Sequence, residues 1–162
     1  MSRLDSAIRR LQAQRDCLGL AVEMIGDLAG PVLELGLGNG RTYDHLRSLL
    51  PDRDIFVFDR QFVAHPDCIP DDHHGILGDF TETLPTALDR IKTYAALAHC
   101  DTGSGDAAAT KAQGLWLAEP VNNLLLSGGV VVSDQECLCD DWTSVPLPSG
   151  VQPGRYYIYQ KN

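Results

Sequence analysis

A glycine-rich run is the part of this 162-residue sequence whose residue types and spacing most clearly indicate chemistry. Residues 32–40 read Val-Leu-Glu-Leu-Gly-Leu-Gly-Asn-Gly, an apolar stretch that passes into alternating glycines. Glycines allow a tight turn and let a ligand approach the backbone closely. The run therefore predicts a ligand-binding turn between a buried strand and the helix that follows it.

The same run argues against the dinucleotide-binding fingerprint, which requires glycine at its third fixed position, G-x-G-x-x-G. Depending on which two glycines begin the pattern, that position is occupied by Arg41 or by Tyr43. We also expect Glu34 at the mouth of the turn, where its carboxylate would repel a pyrophosphate. A carboxylate there suits a ligand with an amino group and a positively charged sulfur, so a nicotinamide-dependent oxidoreductase is the less favoured alternative.

The segment 34–40 resembles the first motif of class I S-adenosylmethionine-dependent methyltransferases. Asp59, at the end of the second predicted strand, matches the acidic residue that binds both ribose hydroxyls in that family, and Gly78-Asp79-Phe80 is similar to the family's adenine-binding corner. The similarity covers roughly residues 30 to 135. It implies S-adenosyl-L-methionine as the cofactor, held by a set of residues that follow the predicted strands: Glu34, Gly36, Gly38, Asn39, Gly40, Thr42, Asp59, Arg60, Gly78, Asp79, Phe80 and His99.

Each of these matches also has a purely structural interpretation. The glycines could form a tight turn in another α/β protein, and Asp59 and Asp79 could cap helices. Arg60 could stack on the adenine edge, but a solvated surface arginine is the more ordinary case. Three such matches in the expected order favour the methyltransferase interpretation.

The fourth predicted strand brings two candidates to the reacting end. It ends in Ala98-His99-Cys100-Asp101, and by position His99 and Asp101 are predicted to act as catalytic residues that orient or deprotonate the methyl acceptor. The alternative for His99 is a hydrogen-bonded wall residue beside the amino acid end of the cofactor. The signature of methyltransferases that act on amino nitrogens, Asn/Asp-Pro-Pro-aromatic, does not occur at this strand end.

A metal site is the second open question at this end. Asp101, followed by Asp134 and Gln135, resembles the metal-binding arrangement of catechol-type O-methyltransferases, in which such oxygen donors hold Mg²⁺. Gln135 stands where that family has asparagine, however, and the glycine-rich loop at 102–105 is not that family's loop. We therefore predict metal-independent chemistry, with the catechol-type enzyme as the alternative.

The elements that must position these residues alternate between short apolar runs and helical stretches. Apolar residues spaced by three and four predict an N-terminal helical segment over 1–29, which could contact a second subunit in a homodimer but more simply packs on the sheet. Strands are predicted at 32–35, 55–58, 76–77, 94–98 and 130–133, helices at 41–50, 84–91 and 106–126, and a β-rich tail at 155–160. This order predicts one α/β domain over 1–162, a doubly wound, mostly parallel, Rossmann-like sheet with helices on both faces and an antiparallel C-terminal strand.

The composition of the chain limits the classes of molecule with which it is expected to interact. The formal net charge of −9 disfavours nucleic acid, and no apolar run is long enough to span a membrane or resembles a secretory signal. Five scattered cysteines predict a reducing, cytoplasmic compartment. We therefore predict a methyltransferase that acts on a small-molecule acceptor, with a module that binds S-adenosylmethionine without transferring its methyl group as a further alternative.

Overall fold

The computed structural model describes residues 2–103 and 105–162, so Ser104 of the predicted glycine-rich loop lies outside the described residues. The helices are α1 (Arg3–Ile25), α2 (Arg41–Leu49), α3 (Phe80–Thr83), α4 (Ala87–Ile91) and α5 (Ala107–Asn122). The strands are β1 (Val32–Leu35), β2 (Ile55–Asp59), β3 (Gly75–Leu77), β4 (Ala95–Cys100), β5 (Leu125–Ser133), β6 (Trp142–Ser144) and β7 (Tyr157–Lys161).

The seven strands form one sheet in the order β3-β2-β1-β4-β5-β7-β6. Strands β1 to β5 pair in parallel, whereas β7 pairs antiparallel with β5 and with β6. Strands β1 and β4 are buried along their whole length, as expected for central parallel strands covered on both faces. The predicted fold class is confirmed, and the carboxyl ends of β1 and β4 lie side by side where the strand order reverses.

Helix α1 begins at a capping box and is buried only in its second half. The Ser2 hydroxyl accepts the Asp5 N–H, and the Asp5 carboxylate accepts the Ser2 N–H. Five apolar residues of the second half, together with Gln14, are buried: Ala13, Cys17, Leu18, Ala21 and Ile25. In the first half, Leu4 and Ile8 are exposed, so the apolar face of α1 packs on the sheet only in part. The predicted contact of this helix with a second subunit stays a prediction.

The largest error in the predicted elements concerns the boundary between α5 and β5. The sequence predicts a helix to residue 126 and a strand from 130, but β5 already begins at Leu125 and runs through Gly128 and Gly129. Gly128 has a φ of +80°, and the pairing of β5 with β4 changes register between Ala95 and Leu97. The two glycines therefore form an irregularity inside a strand, where their sequence suggests a turn.

Two smaller differences also have local causes. The helix predicted over 84–91 begins only at Ala87, after Pro85, and the short helix α3 precedes it at Phe80–Thr83. Strand β6 lies between the predicted fifth strand and the predicted β-rich tail, where the sequence predicts no strand. Among the described residues, no helix combines the length and apolar character needed to cross a membrane.

Candidate functional site

The glycine turn between β1 and α2 combines two glycines that packing requires with one that faces open space. A Cβ on Gly36, whose φ is +90°, would overlap the Asp101 carbonyl, and one on Gly40 would overlap the Cys68 side chain. At Gly38, with a φ of +52°, no atom lies within 4 Å of a Cβ. The turn thus approaches β4 closely through Gly36 and leaves room beside Gly38.

Asp59 holds the turn from the end of β2. Its Oδ2 atom accepts the Leu37 N–H at 2.7 Å and the Gly38 N–H at 3.4 Å, and its Oδ1 atom accepts the Gln61 N–H at 3.4 Å. An ionised carboxylate has about four acceptor positions, so capacity is left for further donors. The position predicted to bind ribose is therefore also a structural support of the turn.

Two adjoining cavities open at the carboxyl edge of the sheet. The larger, of about 420 Å³, is lined among others by Asp59, Arg60 and Phe80. The smaller, of about 170 Å³, lies between the glycine turn and α1, whose Arg10, Leu11 and Gln14 line it together with Asn39, Arg41 and Thr42. Both cavities are bounded by Gly36, Gly38, Asp101 and Gly103, so these four residues mark their junction.

A cavity of about 540 Å³ lies elsewhere, against residues that precede β1, β2 and β4, such as Pro31, Asp54 and Thr93. That is the amino edge of the parallel strands, whereas ligands of doubly wound sheets bind at the carboxyl edge. Arg53, which lines this cavity, is occupied in holding the carbonyls of Leu28 and Gly30 at 2.7 and 2.6 Å. We therefore place the functional site at the two smaller cavities.

At the predicted adenine end, Asp79 and Arg60 bind each other. The Arg60 Nη2 and Nε atoms lie 2.5 and 3.0 Å from Asp79 Oδ2, and Asp79 Oδ1 accepts the Thr81 N–H at the start of α3. The Thr81 hydrogen bonds, with a smaller contribution from Arg60, lower the pKa of Asp79 to about 2. Arg60 and Phe80 line the larger cavity, whereas Gly78, with a φ of +148°, makes the bend before α3.

Glu34 does not lie at the mouth of the turn, and this expectation is wrong. Its carboxylate is fully buried beneath the turn, where Oε2 lies 2.7 Å from His99 Nδ1 and Oε1 accepts the Thr42 hydroxyl. The reason is that β1 and β4 pair with Glu34 beside His99, so the two side chains project from the same face of the sheet and lie next to each other under the residues that cover it. Both are 0% exposed, and their predicted contact with the cofactor stays a prediction.

The buried His99 ring uses both nitrogens within the protein. Its Nε2 atom lies 3.3 Å from the Tyr156 hydroxyl, and the Tyr156 ring stacks nearly parallel to it. Burial disfavours the imidazolium, but the charge and hydrogen bond of Glu34, together with the charges of Asp101 and Asp134, more than offset this, and the pKa of His99 is raised. His99 is not among the residues that line the two cavities, so its catalytic role and the wall alternative both stay predictions.

Asp101 is the predicted reacting-end residue that faces the cavities. Its Oδ2 atom accepts the Gln14 Nε2–H at 2.6 Å. Behind it, Asp134 accepts the Thr102 N–H at 3.4 Å and the Gln135 amide at 3.3 Å. Burial, and then the charge of Asp101, raise the pKa of Asp134.

Both carboxylate oxygens of Asp134 thus accept hydrogen bonds from N–H groups of the protein. In the described ranges 2–103 and 105–162, no three His, Cys, Asp or Glu side chains are grouped so as to hold a metal ion. Gln135 contributes its amide N–H to Asp134. Metal-independent chemistry at this end, and the catechol-type alternative, stay predictions.

Gln14 and Tyr156 are site residues that the sequence reasoning missed. A signal was available for Gln14. The apolar residues spaced by three and four along α1 are interrupted between Leu11 and Leu18, and Gln14 occupies the inward position between them, where it is 6% exposed. Arg15, which lies in the same interval, points to solvent and binds Asp16. Tyr156 gave no local signal, because its partners come from β4 and α1.

Comparison with known proteins agrees with this geometry. A family model described as S-adenosyl-L-methionine methyltransferase matches residues 1–161. The crystal structure of an S-adenosyl-L-methionine methyl transferase from Silicibacter pomeroyi DSS-3 has a TM-score of 0.94 and 40% identity, covering 100% of this chain and 99% of that one. None of the curated protein sequences matches this chain.

More distant structures share the fold alone. CalS11, a TDP-rhamnose 3′-O-methyltransferase of calicheamicin biosynthesis, has a TM-score of 0.63 and 17% identity, covering 98% of this chain and 81% of that one. Human methyltransferase-like protein 13 in complex with S-adenosylhomocysteine has a TM-score of 0.52 and 13% identity, covering 98% and 80%.

The doubly wound sheet, its glycine turn after β1 and the carboxylate at the end of β2 define a methyltransferase of the S-adenosylmethionine-dependent class. The chain belongs to the S-adenosyl-L-methionine methyltransferase family. S-adenosyl-L-methionine is accordingly its cofactor.

Proposed function

We propose that this methyltransferase transfers the methyl group of S-adenosylmethionine to a small-molecule acceptor at the junction of the two cavities. The observation that carries the proposal is the position of Asp101, whose carboxylate lines both of them. The cofactor supplies an already activated, positively charged leaving group. The protein's part is therefore to align the acceptor and to exclude water.

The residues of the larger cavity fit the adenosine part of the cofactor. Asp59 has acceptor capacity left for the ribose hydroxyls, and the space beside Gly38 admits a ligand against the backbone. Phe80 offers an aromatic side chain to a purine, and Arg60 lies at the same end. Gly36 and Gly40 contribute by shaping the turn, Gly78 by the bend before α3, and Asp79 by holding Arg60 and capping α3.

The smaller cavity fits the amino acid end of the cofactor, which carries one ammonium and one carboxylate. Asp101 supplies a negative charge for the ammonium, and Arg10 and Arg41 supply positive charges for the carboxylate. Asn39, which lines the same cavity, adds a polar side chain. Arg10 and Arg41 take part in no ion pair within the described residues.

Because Asp101 borders both cavities, we assign it a second role toward the acceptor. A carboxylate that already accepts one N–H from Gln14 can accept a hydrogen from an approaching hydroxyl or amine and orient it toward the methyl group. His99 is fully buried, so its contribution is to hold the strand ends and not to touch the acceptor. Glu34 and Thr42 support it in the same way.

The size of the site and the charge of the molecule support a small acceptor. The two cavities are narrow and partly enclosed between α1, the glycine turn and the loop after β4, and the net charge of −9 opposes a nucleic acid. All five cysteines are free, and three are buried, which supports the proposed reducing, cytoplasmic location.

A screen of small diols, phenols, amines and thiols for S-adenosylhomocysteine release tests the proposal. We expect release together with a methylated product for at least one class, and we expect Asp101→Asn to lower both turnover and cofactor affinity. Asp52→Asn, an exposed carboxylate away from the carboxyl edge, is the matched control. Methylation of proteins only, or cofactor binding without any transfer, would contradict the proposal.

A further inference from the structure

A run of neighbouring polar side chains, four of them buried and two half-buried, joins the glycine turn to the reacting end. We call this set the buried polar chain; its members, in order, are the half-buried Thr42, the buried Glu34, His99, Tyr156 and Gln14, and the half-buried Asp101. They come from α2, β1, β4, the segment before β7, α1 and the end of β4. Only the last member, Asp101, combines this chain with a position at the junction of both cavities.

Gln14 fixes one oxygen of Asp101. The amide nitrogen lies 2.6 Å from Oδ2, and the Gln14 side chain is 6% exposed, so water has little access to replace this bond. The nitrogen must face the carboxylate, since the amide oxygen there would oppose two acceptors. With Oδ2 held against α1, the orientation of the carboxylate plane, and so of Oδ1, is set.

Tyr156 lies beside Gln14 on the side of His99. Its hydroxyl lies 3.3 Å from His99 Nε2, and the Gln14 side chain is near enough to lower the tyrosine pKa against the larger raising effect of burial. The tyrosine is 1% exposed, and burial strongly raises its pKa, so the hydroxyl stays protonated and serves as a fixed polar neighbour of the glutamine. Removal of that hydroxyl would take away a polar group that borders the Gln14 amide.

We propose that Gln14 and Tyr156 are positioning residues that aim the free oxygen of Asp101 at the ammonium group of the cofactor. This inference rests on the proposed function, in which the smaller cavity receives the amino acid end. It goes further by assigning the aim of Asp101 to Gln14, which also lines the smaller cavity, and to Tyr156, which lies behind it. A purely structural role for the two residues would affect every ligand of the site equally.

Calorimetric binding of two probes separates these roles. S-adenosylhomocysteine keeps the ammonium group, whereas 5′-methylthioadenosine has the same adenosine part without the amino acid end. We expect Gln14→Leu and Tyr156→Phe to weaken S-adenosylhomocysteine binding about tenfold, which corresponds to about 1.4 kcal/mol, with an unchanged affinity for 5′-methylthioadenosine.

Matched controls are available beside both positions. Gln12→Leu changes a glutamine on the exposed side of α1, and Tyr157→Phe removes the hydroxyl of the partly buried neighbour of Tyr156. Neither should change the affinity for either probe. Thermal melting of each variant reports whether the fold is retained.

A double-mutant cycle keeps the test decisive if Gln14→Leu lowers stability. In an Asp101→Asn background, Gln14→Leu should cause no further selective loss of S-adenosylhomocysteine affinity, because the oxygen to be aimed no longer carries its charge. Equal losses for both probes, no loss for either, or additive effects in the cycle would overturn the inference. Failure of the unaltered protein to bind S-adenosylhomocysteine would instead contradict the proposed function.

Discussion

At the scale of single residues, the three glycines of the turn have different tasks although they look alike in the sequence. Gly36 lies against the Asp101 carbonyl and Gly40 against Cys68, so both are required by packing. Gly38 borders both cavities and has nothing within 4 Å of a Cβ. Gly38 still has a φ of +52°, so a side chain there strains the backbone, and the stability of each variant has to be measured beside its cofactor affinity.

Gly38→Val should lower cofactor affinity at least tenfold, about 1.4 kcal/mol, because the new side chain occupies the space beside the turn. Gly36→Ala should instead lower the free energy of unfolding by about 1–3 kcal/mol, since the methyl group overlaps backbone. Calorimetry with S-adenosylhomocysteine and urea denaturation measure the two quantities. Gly19→Ala is the control, because Gly19 lies within α1 and no atom lies within 4 Å of a Cβ added there. Undiminished binding by folded Gly38→Val would be incompatible with the cofactor position.

Asp59→Ala should weaken S-adenosylhomocysteine binding by roughly tenfold to a hundredfold, because charge-assisted hydrogen bonds to hydroxyls contribute about 1.5–3 kcal/mol each. The same variant frees the Leu37 and Gly38 N–H groups, so Asp59→Asn serves as a companion that can still accept one of them. Isothermal titration gives the affinities. If both variants bind as tightly as the parent protein, the ribose lies elsewhere.

Activity should survive exhaustive EDTA treatment. The reasons are that the sulfonium is already an activated leaving group, so the transfer needs alignment and no Lewis acid, and that Gln135 stands where the catechol-type family has asparagine. Once an acceptor is found, initial rates before and after chelation, and after addition of Mg²⁺, provide the measurement. Abolition by EDTA with full recovery on Mg²⁺ would restore the catechol-type interpretation.

At the scale of elements, the Glu34–His99 pair ties β1 to β4 inside the covered sheet. Removal of one partner leaves the other charge buried without compensation, so His99→Gln should destabilise the fold by about 3–5 kcal/mol. His65→Gln, on an exposed turn, should be near neutral. Urea denaturation near pH 6 gives both values.

The same pair has a defined pH dependence. Since the pKa of His99 is raised in the folded protein, its stabilisation is fully present below the unfolded histidine pKa of about 6.5 and is lost as the pH rises through the folded value. The stability difference between the parent protein and His99→Gln should therefore shrink as the pH rises above about 6.5. A difference that grows over this range would mean that the histidine is buried in its neutral form.

Element-scale comparison also shows what local sequence can and cannot predict. The turn after β1 was predictable because its glycine spacing is a local requirement of the backbone. Gly128 and Gly129 misled the prediction, since only the pairing of β5 with β4 makes an irregular strand of what looks like a turn. Glu34 was placed correctly on β1 but not beneath the turn, because its partner His99 is 65 positions away.

At the scale of the whole molecule, cofactor binding should stabilise the fold by linkage. With S-adenosylhomocysteine at 100 times its dissociation constant, the gain is about 2.7 kcal/mol. For a domain of this size, that corresponds to a rise in melting temperature of roughly 5–10 °C. Thermal melting measures it, and NADH and NADPH at equal concentration should give no shift. A larger shift with a nicotinamide would favour the oxidoreductase alternative.

The residues of the buried polar chain are far apart in the sequence, and this affects when, during synthesis, the site can be completed. Gln14 reaches across 87 positions to Asp101, and Tyr156 lies 57 positions beyond His99. Contacts between such distant segments pay a loop-closure entropy early and form slowly. During synthesis, the strands β1 to β4 can pair before the segment of Tyr156 has left the ribosome, but Asp101 and Gln14 then lack their neighbour Tyr156. Full affinity for the amino acid end of the cofactor should therefore appear only after that segment has joined the fold.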